Sequence, residues 1–141
     1  MISRTTWDAN LKGETVTNIT RLDYEEKVRL DSDRMAELYV QLGEVGAQDV
    51  VCRAMEELAV RLDRLSQIYP EQQKADIRKG AKGLIGIAEQ IGMHKLASVS
   101  RDVCNCLDNN DPISVGATMA RLMRIGDQSL TAVWDLQDLS V

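Results

Sequence analysis

The chain has no Phe, two Trp, three Tyr and a single His in 141 residues. A core without large rings has to be aliphatic, which suits interdigitating helices, and one histidine leaves little for acid–base or nucleophilic chemistry. Cysteine is scarce as well. Cys52, Cys104 and Cys106 cannot all pair within the chain, and a domain of this length gains little from a bridge, so they read as reduced filler. On a helix Cys104 and Cys106 stand about 200° apart, which rules out a metal shared between them. No apolar run approaches the ~18 residues needed to span a bilayer. The N-terminus Met1-Ile2-Ser3-Arg4-Thr5-Thr6 lacks the apolar centre of a signal peptide, and a cytoplasmic protein is expected. Cations are outnumbered, 17 Lys and Arg against 22 Asp and Glu, for a net charge of -5. That balance repels a phosphate backbone, and no Lys/Arg-rich run overrides it, so neither nucleic acid nor membrane is an expected partner.

What is present is 44% hydrophobic residues and 28% charged ones, enough for one soluble domain without disulfide or metal. From residue 31 onward the apolar residues recur at three- and four-residue spacing. The pattern predicts a short helix starting at Asp31 or Ser32, with Met35, Leu38, Tyr39 and Leu42 on one face and a stop at Gly43. A second helix is predicted from about Ala47 to Tyr69. Its stripe is Val51, Met55, Leu58, Leu62, Leu65 and Ile68 or Tyr69, with Arg53, Glu56, Arg61 and Arg64 outward and Pro70 at its end. A third, from about Glu71 to Gln90, carries Ile77, Ala81, Leu84, Ala88 and Ile91, and Gly92 stops it.

The fourth helix is predicted to start at Met93 or His94 and to bury Leu96, Val99, Val103 and Leu107, breaking at Asn109-Asn110-Asp111-Pro112. Asp111 as cap and Pro112 in the first turn announce a fifth, with Val115, Met119, Leu122, Met123, Leu130 and Val133 or Trp134 inward. Long helices joined by short turns lie antiparallel to their neighbours. The expected fold is therefore an all-α antiparallel four-helix bundle over residues 31–141, capped by the short first helix. Residues 1–30 fall outside this scheme: Glu14–Thr20 is β-branched and polar and Asp23–Glu26 is acidic, so an extended arm, an extra helix or a tail all remain open.

No triad context, phosphate-cradling glycine loop or zinc pattern accompanies His94, which reads first as a solvated helix-start residue. The informative stretch is Lys79-Gly80-Ala81-Lys82-Gly83-Leu84-Ile85-Gly86-Ile87-Ala88-Glu89-Gln90-Ile91-Gly92. Gly80, Gly83 and Gly86 inside one helix each cost about 1 kcal/mol relative to alanine. With Leu84 as the centre of the core stripe, steps of about 100° put Lys82 and Gly86 about 140° to 180° round, on the outer face. Packing inside a bundle does not explain a glycine there; close approach of another protein's backbone does.

This stretch resembles the histidine-containing phosphotransfer (HPt) domains of two-component phosphorelays, over about residues 35–136. That family carries a pattern of the form His-x-x-Lys-Gly-x-Ala-x-x-x-Gly, followed by a helix that opens on a Lys-Leu-Ala-like segment. Leu84, Gly86, Ala88, Ile91 and Gly92 match, Lys95-Leu96-Ala97 follow at the right distance, and Leu42-Gly43-Glu44-Val45-Gly46 is similar to the turn into the family's first long helix. Two positions depart. Lys82 stands where the phosphorylated histidine would, and Ile85 where a lysine would support the phosphoryl group. A lysine is protonated near neutral pH and cannot replace a neutral imidazole nitrogen as acceptor.

The resemblance thus implies the fold without the chemistry: a non-catalytic module, with no cofactor or metal, that docks a response-regulator receiver domain or a histidine kinase. The docking residues it implies are Lys79, Lys82, Gly83, Ile85, Gly86 and Glu89, with the lysines facing the acidic pocket of a receiver. The alternatives are a phosphotransfer protein that uses His94 as acceptor, and a homodimeric scaffold whose glycine face is buried against a second copy.

Overall fold

The computed structural model describes residues 28–140 apart from residues 70 and 72, and for residues 134–140 the backbone alone. The expectations for residues 1–27, Pro70 and the Trp134 side chain lie outside the described residues. Among the described residues four helices follow in order: α1 (Ser32–Ile68), α2 (Lys74–Gln90), α3 (His94–Asp108) and α4 (Pro112–Ser140). Among the described residues there is no strand, and no helix is long and apolar enough to cross a membrane.

Asp31 caps α1, its Oδ1 accepting from the backbone N–H of Asp33 at 2.9 Å and of Arg34 at 3.3 Å. Gly43 interrupts the helix with φ 76° and ψ 174°, a conformation open mainly to glycine, so the two predicted helices are two arms of α1. The second arm resumes at once, without the linker to Ala47 that the sequence suggested. Its stripe behaves as expected, Val51, Met55, Leu58, Leu62 and Leu65 all being buried. The first arm does not. Leu38 is buried and Met35 half-buried, but Tyr39 and Leu42 are 44% and 48% exposed. This arm of about three turns reaches the core through Leu38 and Met35 and not through its last turn.

In α2 the residues Ile77, Ala81, Leu84, Ala88 and the following Ile91 are at most 2% exposed, so the predicted stripe is the one buried. The helix starts at Lys74, three residues later than predicted, behind Gln73, which makes no side-chain capping bond. Its end is a Schellman turn. Gly92 takes φ 79°, its N–H donates to the Glu89 carbonyl at 3.2 Å, and the Met93 N–H donates to the Ala88 carbonyl at 2.8 Å. Helix α3 buries Leu96, Val99, Val103 and Leu107 as predicted, and also Ala97, Ser100 and Cys104. It needs two buried flanks because it packs on both α2 and α4. Asn110 turns the chain with φ 57°, and Asp111 caps α4 by accepting from Ser114 N–H at 3.2 Å and Ser114 Oγ–H at 2.6 Å.

Packing closes a ring in which α1 meets α2 and α4, and α3 meets α2 and α4. Small residues set the close approaches. A Cβ on Gly80 would lie 2.8 Å from Leu65 Cδ1, and one on Gly126 would lie 2.7 Å from Leu62 Cδ1. Fully buried leucines such as Leu58, Leu84 and Leu122 each contribute about 2 kcal/mol of apolar burial to this centre.

Candidate functional site

Helix α2 places its functional candidates by rotation about its axis. With Ile77, Ala81, Leu84 and Ala88 committed to the core, Lys79, Lys82, Gly86 and Glu89 are left exposed. Around Gly86 the surface is open: a Cβ built there would meet nothing within 4 Å. Lys79 and Lys82 make no hydrogen bond or ion pair among the described residues. Glu89 is already engaged, its carboxylate accepting from the Arg101 guanidinium of α3.

Two of the six predicted docking residues are not on that open surface. Gly83 is half-buried, and a Cβ there would lie 2.6 Å from Arg61 Nη1, so the Arg61 guanidinium of α1 rests on the Gly83 backbone. Ile85 is half-buried and packs against the core instead of pointing outward. The reason is angular. Ile85 stands about 100° from Leu84, near Arg78 and Glu89, which both bond to α3, so it belongs to the flank that α3 covers. The three glycines therefore have three explanations: Gly80 admits Leu65, Gly83 seats Arg61, and Gly86 alone is open.

Arg78 donates from Nε to Asp108 Oδ1 at 2.8 Å and from Nη2 to Asp108 Oδ2 at 3.2 Å. This fork holds the Asp108 carboxyl below the usual aspartate range. One turn earlier Lys74 Nζ donates to Asn110 Oδ1 at 2.7 Å, so the start of α2 is tied to the α3–α4 turn. Tyr69, Ile77, Leu107 and Val115 floor an open cleft of about 680 Å³ beside it, with Lys74 and Asn110 at the rim.

His94 lies away from this face, at the α2–α3 turn. Its side chain is 62% exposed and Nε2 is 2.7 Å from Asp31 Oδ2. The hydrogen bond from His94, followed by those from the backbone N–H groups of Arg34 and Asp33, holds the Asp31 carboxyl below its ordinary range. Two more bonds join the same segments, Asp31 N–H to the Gly92 carbonyl at 3.0 Å and Arg34 Nε–H to the Gln90 carbonyl at 2.8 Å. Asp31 and His94 are 63 residues apart, and no local pattern announces their meeting. The arrangement clasps the N-terminus of α1 onto the turn; Nε2, the outer nitrogen of the ring, is the one engaged.

No disulfide joins the cysteines: Cys52 is exposed, Cys104 buried and Cys106 half-buried. Burial pushes the Cys104 thiol up, away from a reactive thiolate. Among the described residues no group of three or more His, Cys, Asp or Glu could hold a metal ion. What the outer side of α2 exposes is Lys79, Lys82 and Glu89 around the bare backbone of Gly86. No protein-family model, curated protein or solved structure matches this chain.

Proposed function

We propose that the chain is a degenerate HPt-like domain, a non-catalytic cytoplasmic interaction protein of a two-component phosphorelay that docks a receiver domain or a histidine kinase through the outer face of α2. The observation that carries the reading is the exposed Lys82, without an ion pair among the described residues, beside the open backbone of Gly86, at the helical positions where the resemblance puts an acceptor and its glycine. In the same reading the four helices pack antiparallel. Gly80 meets Leu65 where α1 ends and α2 begins, Arg78 meets Asp108 where α2 begins and α3 ends, and Arg121 meets Asp102 at 3.4 Å between α3 and α4. The first two pairings suit neighbours that run in opposite directions.

On this reading position 82 lacks the imidazole that accepts and returns a phosphoryl group in the family, whereas an ammonium there can pair with carboxylates. The test is incubation with phosphorylated receiver domains and a radiolabelled phosphoryl donor. The chain should form a complex that Gly86→Gln weakens, and should itself stay unlabelled. Acid-labile label lost in His94→Ala would instead establish His94 as an acceptor. A complex indifferent to Gly86→Gln would remove α2 from the interface.

A further inference from the structure

We infer that the docking face extends onto α1, where Arg61 completes a cationic rim with Lys79 and Lys82 around Gly83 and Gly86, and that the partner surface meeting it is a protein surface carrying clustered carboxylates. This rests on the proposed docking role of α2 and names the chemistry of what docks.

Arg61 belongs to a different helix, and its spacing places it only on an outward face. Its position is specific. Nε donates to Glu57 Oε2 at 2.8 Å, which aims the guanidinium across the groove, and Nη1 lies over the Gly83 backbone. The Nη donors make no other hydrogen bond among the described residues. A planar fork with its outer donors free is the geometry that receives a carboxylate bidentately. Any side chain at position 83 would push the guanidinium off its seat, which accounts for a glycine that costs helix propensity.

Charge argues for the same partner. The chain is acidic overall at -5, yet Glu57 is engaged by Arg61 and Glu89 by Arg101, while Lys79 and Lys82 make no ion pair among the described residues. Asp76, one turn before Lys79, is exposed and makes no ion pair among the described residues, so the positive end of the rim is the side of Lys82 and Arg61. A cationic patch on an acidic body selects a complementary surface and repels the rest of an acidic partner, favouring one docking register.

The experiment uses two probes on the full chain: an octaglutamate peptide at low ionic strength, followed by NMR, and the receiver domains of the source organism, produced singly. Octaglutamate should shift the amides of Gly83 to Gly86 and the Arg61 Nε–H; shifts centred elsewhere overturn the inference. Receiver binding should weaken about five- to tenfold in Arg61→Ala, less in Arg61→Lys, and become less dependent on salt. Gly83→Ala should weaken it without removing any charge. All are exposed or half-buried positions, and unchanged circular dichroism and melting establish that the fold is intact. If Gly86→Gln weakens receiver binding while Arg61→Ala and salt leave it alone, the docking role stands and this inference fails. If octaglutamate finds the rim but no receiver binds, the carboxylate chemistry stands and the receiver reading fails.

Discussion

Replacing glycine by alanine along α2 separates its inner, flanking and outer surfaces by sign. At Gly86 the new methyl would touch nothing within 4 Å, so the substitution changes only backbone freedom and helix propensity. That gain is about 1 kcal/mol, or about 2 to 5 °C in Tm for a domain of this length. At Gly80 the same gain is opposed by a methyl 2.8 Å from Leu65 Cδ1, and Leu65, at 1% exposure, has no solvent to withdraw into. Overpacking of this kind costs about 1 to 3 kcal/mol, so Gly80→Ala should be neutral to about 2 kcal/mol destabilising. Urea unfolding of both variants checks the pair, with an unchanged m-value licensing the comparison. A destabilised Gly86→Ala would refute the reasoning, because it would mean that the outer face of α2 is covered in the isolated protein. A stabilised Gly80→Ala would refute the placement of α2 against α1.

The two glycines with positive φ offer a second contrast. Gly43→Ala suffers backbone strain alone, since its Cβ would meet nothing within 4 Å, whereas a Cβ on Gly92 would come within 2.9 Å of Asp31 Cβ and 3.2 Å of Asp31 N. Gly92→Ala should lose about 1 to 2 kcal/mol more than Gly43→Ala, through the displaced Asp31–Gly92 hydrogen bond, as read by chemical denaturation. Restoring the family's two residues should not be symmetrical: Lys82→His, at an exposed site, should leave the melting temperature unchanged, while Ile85→Lys should cost about 1 kcal/mol of apolar contact. Equal effects would place Ile85 on the outer face. Acid stability reports the clasp. The Asp31 carboxyl titrates below its unfolded value of about 3.9, so its contribution is complete above that pH and is lost as pH falls through the folded value. Asp31→Asn, which can still cap α1, should flatten the acid limb of the urea midpoint below about pH 4. Parallel limbs in the two proteins would show that the His94–Asp31 bond carries no linkage.

Local rules determined most of what the sequence alone could reach. Helix positions, the Gly43 interruption, the Gly92 stop and the Asp111-Pro112 start all depend on contacts within a few residues, and the stripe through Leu84 is buried where the 3.6-residue period put it. The exposure of Lys82 and Gly86 follows from the same period, because the side opposite a buried stripe stays outside whatever the neighbours are.

Periodicity does not say which neighbour lies on which flank, and that is where tertiary structure decided. The side of α2 that carries Ile85 became the α3 contact, and the side that carries Gly83 became the seat of Arg61. Tyr39 and Leu42 share the helical spacing of Leu38, yet the core they were expected to reach ends before them. The Asp31–His94 bond joins residues whose separation along the chain no window spans. A helix announces its buried face through its own composition, but the identity of the group across the groove is a property of two helices at once, fixed only when they pack.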